Sequence, residues 1–123
     1  DRQWSRGLGD VYKRQQVADV IYLSGQVGVD EQGKAPDSLV AQTTLAYQHV
    51  KAVLAEFGAT LDNVVEETVF VTDISQTMAQ VQEVFAVREA AYGRRPDVAQ
   101  TLVAVSALVD QAFKIEIKCT AHL

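Results

Sequence analysis

The stretch Phe113-Lys114-Ile115-Glu116-Ile117-Lys118-Cys119-Thr120-Ala121-His122 alternates apolar and polar residues without a break. Side chains on an extended backbone point to opposite faces with a period of two. The stretch is therefore a strand with one buried side, carrying Phe113, Ile115, Ile117, Cys119 and Ala121, and one outward side, carrying Lys114, Glu116, Lys118, Thr120 and His122. Just upstream, residues 99–109 are nearly all apolar, the pattern of a central strand buried on both faces. The connection Asp110-Gln111-Ala112 joins the two as a predicted hairpin, though it lacks an Asn-Gly turn.

Residues 64–72 predict another strand, with Glu66, Thr68, Phe70 and Thr72 on one side and Val65, Glu67, Val69 and Val71 on the other. Val20-Ile21-Tyr22-Leu23-Ser24-Gly25-Gln26-Val27 is β-branched and aromatic and reads as a strand too. Gly25 inside it marks a bulge or a place where a ligand or another backbone comes close. Two helices lie between the strands. Asp37 or Ser38 caps the first, Ala46, Val50, Val53, Leu54 and Phe57 form its apolar face, and Gly58 stops it. Asp73 and Ser75 offer caps for the second, over residues 76–92, whose face is Met78, Val81, Val84, Phe85 and Arg88 and which Gly93 closes. The order β-(loop)-α-β-α-β-β predicts a two-layer α+β domain with both helices on one face of a mixed sheet. The other face mixes Thr, Glu, Lys and Tyr with Val. That is too apolar for water and too polar for a core, and it predicts contact with another subunit.

At 123 residues the chain is long enough for one domain with a real core. Apolar residues make up 48% and charged residues 22%, ordinary for a soluble globular protein. No apolar run approaches the roughly 20 residues that span a bilayer, and no signal peptide is visible, so the expected location is cytoplasmic, with no membrane partner. The net charge of −5 argues against nucleic acid and anionic membranes. Arg2, Arg6, Lys13 and Arg14 against Asp1 and Asp10 leave residues 1–16 at +2 and the remainder at −7. Residues 1–16 show no period, and residues 4–15 resemble translated adapter sequence. The expected division is a non-native or disordered leader over 1–16 and a folded domain over 17–123; a genuine edge strand through Val11 and Tyr12 is the alternative. Cys119 is the single cysteine, which excludes an intrachain disulfide, and its place in the alternating strand predicts burial. His49 and His122 lie in different elements, and no metal site is expected.

Three segments in register resemble the RidA/YjgF family of small trimeric proteins. They are Ile21-Tyr22-Leu23-Ser24-Gly25-Gln26-Val27-Gly28, then Val69-Phe70-Val71-Thr72-Asp73, then residues 100–108 followed by Lys114-Ile115-Glu116-Ile117. The resemblance runs from about Val20 to the C-terminus. It implies a chorismate-mutase-like fold, a homotrimer with a cleft between each pair of subunits, and small carboxylate or carbonyl metabolites such as 2-imino or 2-keto acids as ligands. Many family members hydrolyse 2-imino acids to 2-keto acids and ammonia without a metal or organic cofactor.

Such chemistry needs a cation to hold the substrate carboxylate, a glutamate-type group to polarise water, and donors that orient the rest. By position, Glu116 matches the family glutamate, Ser24 and Gly25 match the pair that lines the cleft, and Thr101 matches the serine that follows the arginine. Tyr12 lies near the family's N-terminal tyrosine. Gln100 falls where the family has arginine, so deamination is expected to be lost or altered. Arg94 or Arg95, in the loop before it, is the candidate substitute for holding a carboxylate. Three readings follow: a cleft that binds small carboxylates or carbonyls without the usual deamination, a working 2-iminobutanoate/2-iminopropanoate deaminase, and a non-catalytic interaction or holdase-type protein.

Overall fold

A computed structural model describes residues 14–123 of the chain. The predicted pairing of Val11 and Tyr12, and most of the expected leader, lie outside the described residues. In chain order the elements are β1 (Arg14–Val17), β2 (Val20–Leu23), β3 (Gln26–Val27), α1 (Leu39–Ala55), a 3-10 turn (Leu61–Asn63), β4 (Val64–Val71), α2 (Ile74–Ala79), α3 (Val81–Tyr92), β5 (Ala99–Ala104) and β6 (Ile115–His122). The sheet order is β1-β2-β6-β4-β5, with β3 also paired to β6. Every pairing is antiparallel except the parallel β4–β5.

β6 is the centre of the sheet, paired to β2 and β3 on one side and to β4 on the other. Ile115, Ile117, Cys119 and Ala121 are all buried beneath the helices, as the alternation predicts. α1 covers them. Ser38 caps it, its Oγ accepting from the Ala41 N–H at 3.1 Å, and Ala46, Tyr47, Val50, Val53 and Leu54 are buried on its inner face. Gly58 and Gly93 both take the left-handed conformation, φ 70° and 75°, which ends each helix at low cost only for glycine. Gln42, fully buried, stitches the N-terminal turn of α1 to the loop before β6. Its Nε2 donates to the carbonyls of Pro36 (2.8 Å) and Ala112 (2.9 Å), and its Oε1 accepts from the Lys114 N–H (2.8 Å).

Four details depart from the sequence reading. β5 and β6 are not a hairpin: β4 lies between them, and β5 runs parallel to β4 after the crossover through α2 and α3. β5 is accordingly an edge strand, exposed or half-buried along its length, and not a central one. Its apolar run reflects two different neighbours, since Leu102 packs on the core while Val103 stands out on the opposite face. The stretch 20–27 is broken at Ser24-Gly25 into β2 and β3, the interruption that Gly25 foreshadows. The second helix is two helices, split at Gln80 (φ −115°, ψ 19°). The inner face runs through Thr77, Val84 and Tyr92, which are buried, and Met78 and Phe85, expected on that face, are exposed one position to its side. At the start of β4, a register shift between Val64 and Glu66 buries Val64 and exposes Val65; from Glu67 on the predicted alternation holds.

Candidate functional site

The pairing register sorts the candidate residues onto two faces, because directly opposed residues on neighbouring strands share a side. Thr101 lies opposite Thr68, which lies opposite Lys118; Val103 lies opposite Phe70, which lies opposite Glu116. Glu116, Lys118 and Thr101 thus occupy the outer face, away from the helices. Gln100 pairs with Glu67, and Glu67 with Cys119, on the helix side.

On the outer face Glu116 lies directly over Gly25. A Cβ on residue 25 would come within 2.1 Å of the Glu116 Oε2, so only glycine lets the carboxyl lie there. Ser24 joins it at the break between β2 and β3. Beside them an open groove of about 430 Å³ is lined by Arg14, Gln15, Tyr22, Leu23, Ser24 and Lys118. Burial raises the Glu116 carboxyl above its ordinary value, and Lys118 pulls the other way without cancelling the rise. Ser24, Gly25 and Glu116 are therefore brought together as a cluster, with Thr101 two strands away on the same face.

Gln100 is turned from that cluster. Its Nε2 donates to Glu67 Oε1 at 2.9 Å. Glu67 is fully buried and accepts three more hydrogen bonds: from Arg88 Nε (2.8 Å), Tyr47 Oη (3.0 Å) and Tyr92 Oη (2.9 Å). The two tyrosine rings meet edge to face at 6.1 Å, and the Arg88 guanidinium lies over the Tyr92 ring. Burial, then the Glu67 charge, pushes both phenols far above their ordinary value. Burial alone would lower Arg88, but the charge and hydrogen bond of Glu67 outweigh it and raise the group. Burial and the same carboxylate hold the Cys119 thiol up, so it is no thiolate nucleophile at neutral pH. Sequence reasoning did not find this network. Its signals were present as an acid on the apolar side of a strand, and an arginine ending an apolar helix stripe.

The remaining candidates stand apart. Arg95 is exposed in the loop before β5, and Arg94 is bonded to Asp62 at 3.3 Å. Tyr12 lies outside the described residues. His49 is tied to the Val29 carbonyl at 2.7 Å. Among the described residues, no helix is long and apolar enough to cross a membrane.

This fold, a mixed sheet with helices on one face and a glutamate over a glycine break, defines the class of small chorismate-mutase-like α+β domains. The family profile described as Endoribonuclease L-PSP matches residues 11–123, and the chain belongs to that family, the RidA/YjgF proteins. Among its relatives, the RutC family protein YjgH of Escherichia coli is 31% identical over 105 residues, covering 85% of this chain and 76% of that one. The structure of RidA from an Antarctic Psychrobacter superposes with a TM-score of 0.79 at 26% identity, over 89% of this chain and 85% of the other. That of Escherichia coli TdcF with bound serine gives 0.78 at 25% identity, with the same coverage.

Proposed function

We propose that this protein is a trimer-forming RidA-family binder of small 2-imino or 2-oxo acids, in which the arginine-dependent deamination is lost. The observation that carries the reading is the Glu116 carboxyl lying over Gly25, beside Ser24 and an open groove. Those are the residue types that a water-polarising carboxyl and a small polar wall require. The inter-subunit cleft is supported by the outer face of the sheet. That face leaves the apolar Tyr22 and Val103 exposed beside Thr101, Glu116 and Lys118, the mixed surface that a second copy would cover. TdcF, a relative of the same fold, holds serine, a small amino acid, in its solved structure. The net charge of −5 argues against an RNA substrate, the activity named in the family description.

The loss of deamination rests on position 100. A glutamine amide offers a neutral hydrogen bond where arginine would offer a charged, bidentate one, and here that amide is already committed to Glu67. A second reading, a working deaminase, draws on the raised proton affinity of Glu116, which suits an acid–base group. The deciding experiment generates 2-iminobutanoate with an amino-acid oxidase and follows its hydrolysis. The expected result is no acceleration by the natural chain, together with a thermal shift on adding 2-ketobutanoate. Acceleration that is lost in Glu116→Gln would establish the deaminase instead. No stabilisation by any small 2-oxo acid would leave the interaction-protein reading. Light scattering that finds a stable monomer would remove the cleft.

A further inference from the structure

With position 100 uncharged and turned to the helix side, the groove beside Glu116 still needs a cation if it is to hold an acid. Of its lining residues two are basic, Arg14 and Lys118. Arg14 is spent: its guanidinium pairs with Glu56 and lies over the Phe57 ring. Lys118 is exposed on the outer face of β6, two residues from Glu116 and on the same side. Among the described residues its ammonium makes no ion pair or hydrogen bond.

We infer that Lys118 is the residue that receives the ligand's carboxylate, taking over in this chain the charge missing at position 100. The inference rests on the proposed binding of 2-imino or 2-oxo acids. Three features of the groove support it. Tyr22 and Ser24 supply a ring and a hydroxyl on the wall beside the ammonium. The strand period sets the Cα atoms of Lys118 and Glu116 roughly 6–7 Å apart on one face of β6, and the Lys118 charge acts on the Glu116 carboxyl. An acid whose carboxylate is held at Lys118 is thereby kept on the face that carries Glu116. Lysine gives a single, mobile point charge and not a planar fork, so this site should accept a wider range of small acids than an arginine site does.

Isothermal titration with 2-ketobutanoate and with its uncharged amide tests the assignment. The natural chain is expected to prefer the acid. Lys118→Ala should weaken acid binding by about tenfold and leave the amide unchanged, erasing the preference, while Lys118→Arg should keep it. Matched melting curves and light scattering check that these variants fold and assemble as the natural chain does. Should Lys118→Ala keep the preference for the acid while Arg95→Ala or Gln100→Ala loses it, the assignment is overturned and the binding function stands. If the natural chain binds neither compound, the binding function fails, and the assignment with it.

Discussion

Removing the Glu67 carboxyl should be among the most damaging single changes to this domain. Glu67 is fully buried and accepts four hydrogen bonds, from Tyr47, Arg88, Tyr92 and Gln100. These donors come from α1, α3 and β5, so one side chain ties both helices and the edge strand to β4. Glu67→Leu strands the Arg88 guanidinium, whose side chain is only 12% exposed, and leaves two tyrosine hydroxyls and an amide without their acceptor. Breaking one member of a buried pair costs about 3–5 kcal/mol, against a typical domain stability of about 5–15 kcal/mol. Glu67→Leu and Arg88→Met should each lie in that range. The double variant should cost clearly less than their sum, because it leaves no buried charge unpaired. Urea unfolding of the four proteins at one fixed concentration measures this, the concentration mattering because assembly adds to apparent stability. Strict additivity, or a Glu67→Leu cost below about 1 kcal/mol, would refute the network as the tie between layers.

Three further outcomes are expected. Gly28→Ala forces a Cβ to within 2.1 Å of the Gln42 backbone oxygen, so α1 must move and the melting temperature should fall sharply; Gly25→Ala meets only the movable Glu116 side chain, so it should melt almost normally and lose 2-ketobutanoate binding. Burial raises the folded-state affinity of Glu116 for a proton above its unfolded value near 4.5, so ionising it opposes folding: as pH rises through and above that value, the natural chain should lose stability relative to Glu116→Gln, and parallel melts at pH 4 and pH 7 should show the variant's advantage only at the higher pH. Gln42→Leu strands the Lys114 N–H and the carbonyls of Pro36 and Ala112, and chemical denaturation should register about 2–4 kcal/mol of lost stability, whereas Gln48→Leu, on the same helix, should change it by less than about 1 kcal/mol.

The two-layer architecture was legible because β6 and α1 carry their periods cleanly, and because Ser38, Asp73, Gly58 and Gly93 punctuate the helices as caps and stops. Strand order was less legible. An apolar run such as 99–109 looks the same in a central strand as in an edge strand whose outer face is half-covered, and pairing partners are set by the crossover through α2 and α3, not by local composition. At the site, Glu116 lies over Gly25, next to Ser24, a proximity carried by the pairing of β3 with β6. Position 100 did not join them, because its direction depends on Glu67, thirty-three residues earlier, and no local period reports a hydrogen bond between strands.

Glutamine at position 100 and the Glu67–Arg88 pair form one electrostatic unit. Arg88 already neutralises Glu67, so the buried group carries no net charge, and the neutral amide of Gln100 fills the remaining acceptor position without adding any. An arginine at this position would bring a second guanidinium to one buried carboxylate and leave an uncompensated positive charge, or it would have to turn away from the sheet to reach solvent or a ligand. The single substitution Gln100→Arg therefore sets two demands on the same side chain, and its outcome depends on Glu67 being present. In Gln100→Arg alone the guanidinium is drawn to Glu67 in competition with Arg88. In Gln100→Arg combined with Arg88→Met it takes over the pair. Held at Glu67, the new guanidinium frees no cation for a ligand; turned away from the sheet, it would offer one, and titration of Gln100→Arg with 2-ketobutanoate tells the two apart.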